Sequence, residues 1–301
     1  MRGYRSLGVL VAALAVLAMA RPAVADSRIE KDLELQPKGQ FILESDVGSV
    51  TVTGTSRSGA HVVITSERSD LNDELEFNFS SSAGVAHVTA RRKHESGWSN
   101  HLSAHFEVEV PTETRTEIRT GGGSITLSGL RGAADVKTSG GSIEVTGLNG
   151  NLEAHTSGGG IHLREVTGDA HVETSGGHID VESLDGGLQA HTAGGGIHID
   201  RVSGYVEAKT SGGPIKATYS PGNRHGGVLE TSGGGIEVAI DPSANLNVDA
   251  STSGGSVSSD VPVHTVTVGR VSHTSLHGSI GSGGEELRLH TSGGSIHIRA
   301  L

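Results

Sequence analysis

The sequence contains no cysteine, which excludes disulfide bonds, thiolate metal sites and lipid attachment through a thiol. Aromatic residues make up only 3% of the chain, although aromatic side chains normally supply much of a globular core. A chain so poor in them must bury many small aliphatic and β-branched side chains instead. Regular stacking of short strands achieves this, because each layer repeats the packing of the previous one.

Basic charge is also scarce. The chain has 23 Lys and Arg residues against 34 Asp and Glu residues, which gives a formal net charge of −11. The N-terminal segment described next carries Arg2, Arg5 and Arg21 and no acid, so its removal would change the net charge to −11 − 3 = −14. Such a chain is repelled by phosphate backbones, and we expect no nucleic-acid partner.

A long apolar run lies at the N-terminus, where a basic start precedes the stretch from Leu7 to Ala20. Ala23-Val24-Ala25 then offers a small-residue cleavage site. The run is shorter than the roughly 20 residues that cross a bilayer, and the whole pattern is typical of a secretory signal peptide. We therefore predict that residues 1–25 are a signal peptide. The mature chain is expected in the periplasm, on the cell surface or outside the cell, without a transmembrane helix.

The dominant feature of the sequence is an internal repeat of the form Thr-Ser-Gly-Gly-x-Ile. Its copies, of which the ninth is degenerate, begin at Thr120, Thr138, Thr156, Thr174, Thr192, Thr210, Thr231, Thr252, Thr274 and Thr291. The glycine runs are turns, and the alternating residues after them are short strands. Each copy supplies two strands that cannot bury a face alone. The repeat therefore predicts an all-β fold, a parallel β-solenoid with about 18 residues per coil.

Aligned copies give columns of equivalent residues. The main inward column comprises Ile125, Ile143, Ile161, Ile179, Ile197, Ile215, Ile236, Val257 and Ile296. The repeat threonines share the inward parity, so we expect a buried ladder whose hydroxyls bond to one another or to nearby backbone. One outward column comprises Arg119, Lys137, His155, Glu173, His191, Lys209 and Glu230. Its mixed charges indicate a face that avoids repulsion between neighbouring strands.

Two outward columns each place a carboxylate between two histidines. These triplets are His155, Glu173 and His191, and His162, Asp180 and His198. Imidazoles around a carboxylate could bind zinc, but adjacent strands lie roughly 4.8 Å apart. The two histidines of each triplet are then nearly twice that distance apart, which is too far for one ion without help from the rotamers. The sequence favours a solvated charge ladder, and we expect no metal and no cofactor.

Residues 26–118 lack the repeat and hold all four Phe and the only Trp. We predict that they form an irregular β region that caps the solenoid of residues 119–301, because an open edge invites aggregation. Within this region Arg91, Arg92, Lys93 and Trp98 place an aromatic side chain among basic ones. They are a candidate contact surface for an anionic glycan or lipid head group. The alternative, that Trp98 packs on the cap, stays open.

The last copy reaches the end of the sequence. Ile296 and Ile298 are therefore expected to have a neighbouring strand on one side only. Such an edge is a template for strand addition by an extended partner or by a second copy of the chain. We expect a homo-oligomer to use this edge if one forms.

The order of these segments resembles a known family. Phe106-Glu107-Val108-Glu109-Val110-Pro111 leads into Gly121-Gly122-Gly123-Ser124-Ile125 and the repeats that follow. This resembles the bacterial putative-adhesin domain family DUF4097, in which a hydrophobic strand ending in Val-Pro leads into Gly-x-Ile repeats. The resemblance covers roughly residues 40–301. It implies a β-solenoid on or outside the cell membrane, and it brings no catalytic residues.

The sequence is compatible with two alternative functions. The first is an exported, non-enzymatic interaction module, an adhesin-like scaffold of the cell envelope or surface that binds a protein, a glycan or a lipid head group. The alternative is a secreted carbohydrate-active enzyme on a β-helix, which needs carboxylates that converge in a cleft. The acidic residues are spread along columns, and the largest insertion between coils adds only three residues. The sequence therefore favours the module, and we predict no catalytic residue.

Overall fold

The computed structural model describes residues 27–67, 71–93, 103–264 and 273–301. The predicted signal peptide and Trp98 lie outside these ranges. The described residues form two long sheets of mostly parallel strands and a helix of four residues. The predicted all-β parallel solenoid is confirmed.

The strands that precede the regular coils, with the short helix, are β1 (Ser27–Leu33), β2 (Gln40–Ser45), β3 (Ser49–Thr55), β4 (Ala60–Ser66), α1 (Leu71–Glu74), β5 (Leu75–Ser82), β6 (Val85–Arg92), β7 (His105–Pro111) and β8 (Arg115–Thr120). The regular coils supply β9 (Ile125–Ser128), β10 (Ala134–Thr138), β11 (Ile143–Thr146), β12 (Leu152–Thr156), β13 (Ile161–Arg164), β14 (Val166–Thr167), β15 (Ala170–Thr174), β16 (Ile179–Val181), β17 (Leu184–Asp185), β18 (Leu188–Thr192), β19 (Ile197–Val202), β20 (Val206–Thr210), β21 (Ile215–Tyr219), β22 (Gly227–Thr231) and β23 (Ile236–Ile240). The C-terminal strands are β24 (Leu246–Thr252), β25 (Val257–Ser259), β26 (Ser275–Ile280), β27 (Glu285–Thr291) and β28 (Ile296–Ala300).

The two sheets face each other across the core. The main path of sheet A runs β1-β4-β7-β3-β9-β11-β13-β16-β19-β21-β23-β28-β25, and sheet B runs β26-β24-β27-β22-β20-β18-β15-β12-β10-β8-β2-β6-β5. From β9 to β21, sheet A pairs residues 18 positions apart, as in Ile143 with Ile161 and Ile161 with Ile179. Equivalent residues of successive coils therefore stack directly on each other.

The core is built from the predicted inward columns. Ile125, Ile143 and Ile161 are fully buried, and the short strands β14 and β17 carry buried Val166 and Leu184 at the corner of the coil. Because each column contacts a similar column above and below, the solenoid buries apolar surface without large aromatic side chains.

The repeat threonines bond to backbone, which was one of the two expected possibilities. The hydroxyl of Thr174 donates a hydrogen bond of 2.8 Å to the carbonyl oxygen of Gly159 in the preceding coil. Thr156 donates in the same way to Gly141 at 2.7 Å. This close stacking requires the second Gly of the Thr-Ser-Gly-Gly motif, because a Cβ added to Gly159 would lie 2.2 Å from the Gly141 carbonyl oxygen.

The N-terminal region continues both sheets. Strand β2 pairs in parallel with β8 on one side and β6 on the other, and β3 pairs in parallel with β9 and β7. The predicted boundary between residues 118 and 119 therefore falls inside two continuous sheets. Beyond these parallel strands, β4 and β1 in sheet A and β5 in sheet B pair antiparallel and end the sheets.

The C-terminal coil is not at the end of the solenoid. Strand β28 pairs with β23 on one side and β25 on the other, so that Ile298 lies opposite both Val238 and Ser259. Ile296 and Ile298 are fully buried. The prediction that these two residues form an open edge is wrong, because residues 246–259 stack outside them. Among the strands that the structure describes, β25 is the last of sheet A at this end, and the antiparallel strand β26 is the last of sheet B.

Candidate functional site

The outward face of sheet B carries a regular charge pattern between β8 and β20. Each strand presents outward side chains two residues apart, because successive side chains of a strand alternate between the two faces; one such pair from each strand forms the pattern. In chain order these pairs are Glu117 and Arg119, Asp135 and Lys137, Glu153 and His155, His171 and Glu173, Gln189 and His191, and Glu207 and Lys209. The acid precedes the base in four of the pairs, and only β15 reverses the order. On β15, His171 therefore takes the position that an acidic or amide side chain occupies on the other strands. Glu173 takes the position that a basic side chain occupies on the other strands.

Glu173 on β15 lies among three histidines. Its Oε2 is 3.1 Å from Nδ1 of His155 on β12, and its Oε1 is 3.0 Å from Nε2 of His171 on its own strand. Nδ1 of His191 on β18 lies 3.7 Å from the same Oε1. We call His155, His171 and Glu173 the histidine cluster. One ligand-type atom from each of its members lies within 4.8 Å of the other two.

The second ring nitrogen of each histidine in the cluster also has a partner. Nε2 of His155 is 3.1 Å from Oε1 of Glu153, and Nδ1 of His171 is 2.9 Å from Oε1 of Gln189. Each ring is therefore held at both nitrogens, which fixes its orientation on the sheet.

Two carboxylates of this face, those of Glu153 and Glu173, are held in their ionised form. The hydrogen bond from His171, with the charges of the surrounding histidines, lowers the pKa of Glu173 against the opposing effect of partial burial. The hydrogen bonds from Lys137 and then His155 lower the pKa of Glu153. Both groups therefore act at neutral pH as acceptors or ligands rather than as proton donors.

A shallow groove crosses the strands of sheet B near their N-terminal ends and has a volume of about 680 Å³. Exposed polar side chains line it at Asn151, Asp169 and Gln189. Asp169 accepts a hydrogen bond of 2.9 Å from the backbone N–H of Gly187, which holds its carboxylate in place. Tyr205 ends the groove with 43% of its surface exposed. We call this feature the polar groove.

The predicted basic contact surface is partly engaged within the protein. Arg91 forms ion pairs with Glu44 and Asp46, and Lys93 donates a hydrogen bond of 2.7 Å to the backbone carbonyl of Asn72. The backbone N–H of Arg92 donates to Asp46 at 2.8 Å. Because Trp98 lies outside the described residues, the surface stays a prediction.

The second triplet of the sequence does not converge. His162 lies 3.2 Å from Asp180, but His198 turns to Asp200 on its own strand, at 2.9 Å. Of the residues that the structure describes, only the histidine cluster brings three potential metal ligands together. Sequence reasoning along single columns missed His171. The signal that could have found it is the reversed His-x-Glu order on β15, since residues two apart share a face.

A family model matches most of the chain. The Toastrack DUF4097 model matches residues 43–299, which include both sheets and the histidine cluster. The chain belongs to the Toastrack DUF4097 family. The predicted resemblance is confirmed.

The solved structures that match this Toastrack chain share little sequence with it. A putative adhesin from Bacteroides fragilis is 12% identical to this chain. The match covers 91% of this chain and 97% of the adhesin chain, with a TM-score of 0.47. A putative cell adhesion protein from Clostridium sporogenes is also 12% identical, with coverage of 91% and 99% and a TM-score of 0.27. A putative lipid binding protein from Parabacteroides distasonis is 12% identical, with coverage of 91% and 96% and a TM-score of 0.40. Likenesses at this level carry no argument about what this Toastrack chain binds.

No curated protein matches the sequence. The described part of the chain holds no helix with both the length and the apolar character that a membrane span requires.

Proposed function

We propose that this Toastrack protein is an exported, non-enzymatic interaction module of the cell envelope or surface, and that the polar groove of sheet B is its contact site. The observation that carries the proposal is the groove itself. It is open to solvent, runs across several stacked coils and combines an exposed tyrosine with polar side chains at regular spacing. A rigid face of this kind suits an extended partner better than a small enclosed substrate.

The lining of the groove favours an uncharged, hydroxyl-rich partner, namely a glycan. Asn151 and Gln189 each offer both donor and acceptor atoms, and Asp169 offers acceptors. Tyr205 presents an aromatic ring whose face can pack against the apolar face of a sugar. Besides His171, the groove is lined by three carboxylates, those of Asp135, Glu153 and Asp169, against one arginine, Arg115. This excess of negative charge disfavours anionic lipid head groups.

The enzyme alternative finds less support on this face. A glycosidase needs one carboxyl group with a raised pKa to act as the general acid. In contrast, the pKa values of Glu153, Glu173 and Glu207 are all lowered by neighbouring basic side chains. These groups do not suit proton donation at neutral pH.

The proposal is tested by binding the protein without residues 1–25 to an array of neutral and anionic glycans and to vesicles of anionic lipid, together with pull-down of envelope components. We expect binding to neutral glycans, and we expect Tyr205→Ala to weaken it by about tenfold, since truncation of an aromatic anchor commonly costs 1–2 kcal/mol or more.

Thr126→Ala is the matched control, because Thr126 faces outward on sheet A, away from the groove. It should leave the affinity unchanged. Binding only to anionic vesicles, or equal binding by the wild type and Tyr205→Ala, would contradict the assignment of the groove. Release of shortened glycans by the wild type would show an enzyme instead.

A further inference from the structure

The histidine cluster lies beside the polar groove, which His171 also lines, and its chemistry is that of a metal site. We propose that His155, His171 and Glu173 bind one Zn²⁺ ion, with the fourth coordination position open to solvent. The site does not depend on the proposed interaction function, because metal binding is measured on the isolated protein.

The separations of the ligand atoms suit a tetrahedral ion. Zinc with ligands at about 2.0–2.1 Å holds neighbouring ligand atoms about 3.3 Å apart. Nδ1 of His155 lies 3.1 Å from Oε2 of Glu173, and Nε2 of His171 lies 3.0 Å from the other oxygen, Oε1. One ligand-type atom of each of the three residues lies within 4.8 Å of the other two. His155 and Glu173 are directly opposite each other in the register of β12 and β15. Binding therefore requires rotation of the side chains, above all of the Glu173 carboxylate, so that one of its oxygens faces both nitrogens.

The groups around the cluster are those that support metal-bound histidines. In metal sites the nitrogen that does not bind the ion usually donates to a carboxylate or to another oxygen acceptor, which sets the tautomer and the ring orientation. Glu153 stands at Nε2 of His155, and Gln189 stands at Nδ1 of His171. Both rings are thus oriented with the other nitrogen toward Glu173, where the ion would lie.

The donor set selects the class of metal. Two imidazoles and one carboxylate suit zinc, whereas calcium and magnesium prefer sites built from oxygen ligands alone. The two negative charges of Glu173 and Glu153 offset the charge of a divalent ion. The histidine side chains are 27% and 39% exposed, so that an ion reaches the site directly from solvent.

Calorimetric titration of the untagged protein, without residues 1–25, with ZnCl₂ and separately with CaCl₂ tests this site. We expect one Zn²⁺ per chain at the cluster and no Ca²⁺. His171→Gln and Glu173→Gln should each weaken Zn²⁺ binding by at least about tenfold, since even loss of an outer partner of a ligand costs 10- to 100-fold.

His162→Gln is the matched control, because it removes a histidine paired with a carboxylate on sheet A. It should keep the wild-type Kd for Zn²⁺. Thermal unfolding in EDTA establishes that the variants are folded, and NMR of the imidazole resonances locates the ion. The proposal is overturned if the wild type binds no Zn²⁺, if His171→Gln binds as tightly as the wild type, or if the resonances that move belong to other histidines. Zn²⁺ binding and glycan binding are measured separately, so that failure of one proposal does not decide the other.

Discussion

The Thr252 hydroxyl donates a hydrogen bond of 2.7 Å to the carbonyl oxygen of Gly294, which follows it in the chain by 42 residues. Elsewhere the same bond points backward along the chain, as from Thr174 to Gly159. The coil that ends the sequence is therefore inserted between two coils that precede it. Strand β27 lies between β22 and β24, and β28 lies between β23 and β25. The outermost coil consequently rests on the last residues of the chain.

Ile298→Ala should destabilise the whole C-terminal end of the solenoid. Ile298 is fully buried with a strand on each side, and truncation of such a side chain costs about 2–5 kcal/mol. Urea denaturation followed by circular dichroism measures the free energy of unfolding. His297→Ala is the control on the same strand, because His297 faces outward and pairs with Asp260 at 3.1 Å. Such an exposed pair contributes less than about 1 kcal/mol, so equal losses for the two variants would contradict the inserted position of the coil.

Gly141→Ala should be poorly tolerated, whereas Gly140→Ala should be nearly neutral. A Cβ at Gly141 would lie 2.1 Å from the carbonyl oxygen of Gly123 in the preceding coil, but at Gly140 the nearest atom is 3.9 Å away. Relief of the first contact requires the coils to separate, at a cost of about 1–3 kcal/mol by analogy with overpacked cores. The two melting temperatures, compared in parallel, measure the difference. Similar values would show that the stacking is looser than the structure indicates.

Thr174→Val should cost more stability than Thr174→Ser. Thr174 is buried, and its hydroxyl satisfies the carbonyl oxygen of Gly159. Valine keeps the shape but leaves that carbonyl without its partner, which costs about 1–3 kcal/mol. Serine keeps the hydroxyl and loses only a methyl group. The free energies of unfolding of the two variants, measured in urea, decide between hydrogen bonding and packing as the reason for threonine at this position. A larger loss for serine would favour packing.

Much of the fold could be predicted from the sequence, because the repeat encodes it locally. The alternation of Ile161 and Leu163 with polar residues predicts a strand, and the recurrence of this pattern in successive copies predicts that the coils stack. The C-terminal insertion could not be predicted in this way. The copies at Thr252 and Thr291 are similar in sequence, so either can stack on the coil that contains Ile236, and the long-range packing of the assembled solenoid decides between them.

The candidate site was predicted only in part. The alternating column identified His155, Glu173 and His191, but a search along one column considers neighbours on adjacent strands and omits neighbours on the same strand. His171 comes from the second outward column of β15. Tyr205 gave no signal at all, since a single tyrosine in a turn becomes part of a groove only through the stacking of four earlier coils.

The stability of the metal-free protein should fall in acid partly through Glu173. Its pKa is lowered in the folded state from the ordinary value of 4.5, first by the hydrogen bond from His171. A lowered folded pKa contributes stability that is fully present above the unfolded value and is lost as the pH falls through the folded one. The Glu173 side chain is 44% exposed, so the contribution is below about 1 kcal/mol. Urea denaturation in EDTA should therefore show a larger difference between the wild type and Glu173→Gln at pH 6 than at pH 3. Glu76→Gln, which removes an exposed carboxylate from β5, is the control, and an identical pH dependence for all three proteins would mean that the histidines do not stabilise the Glu173 carboxylate.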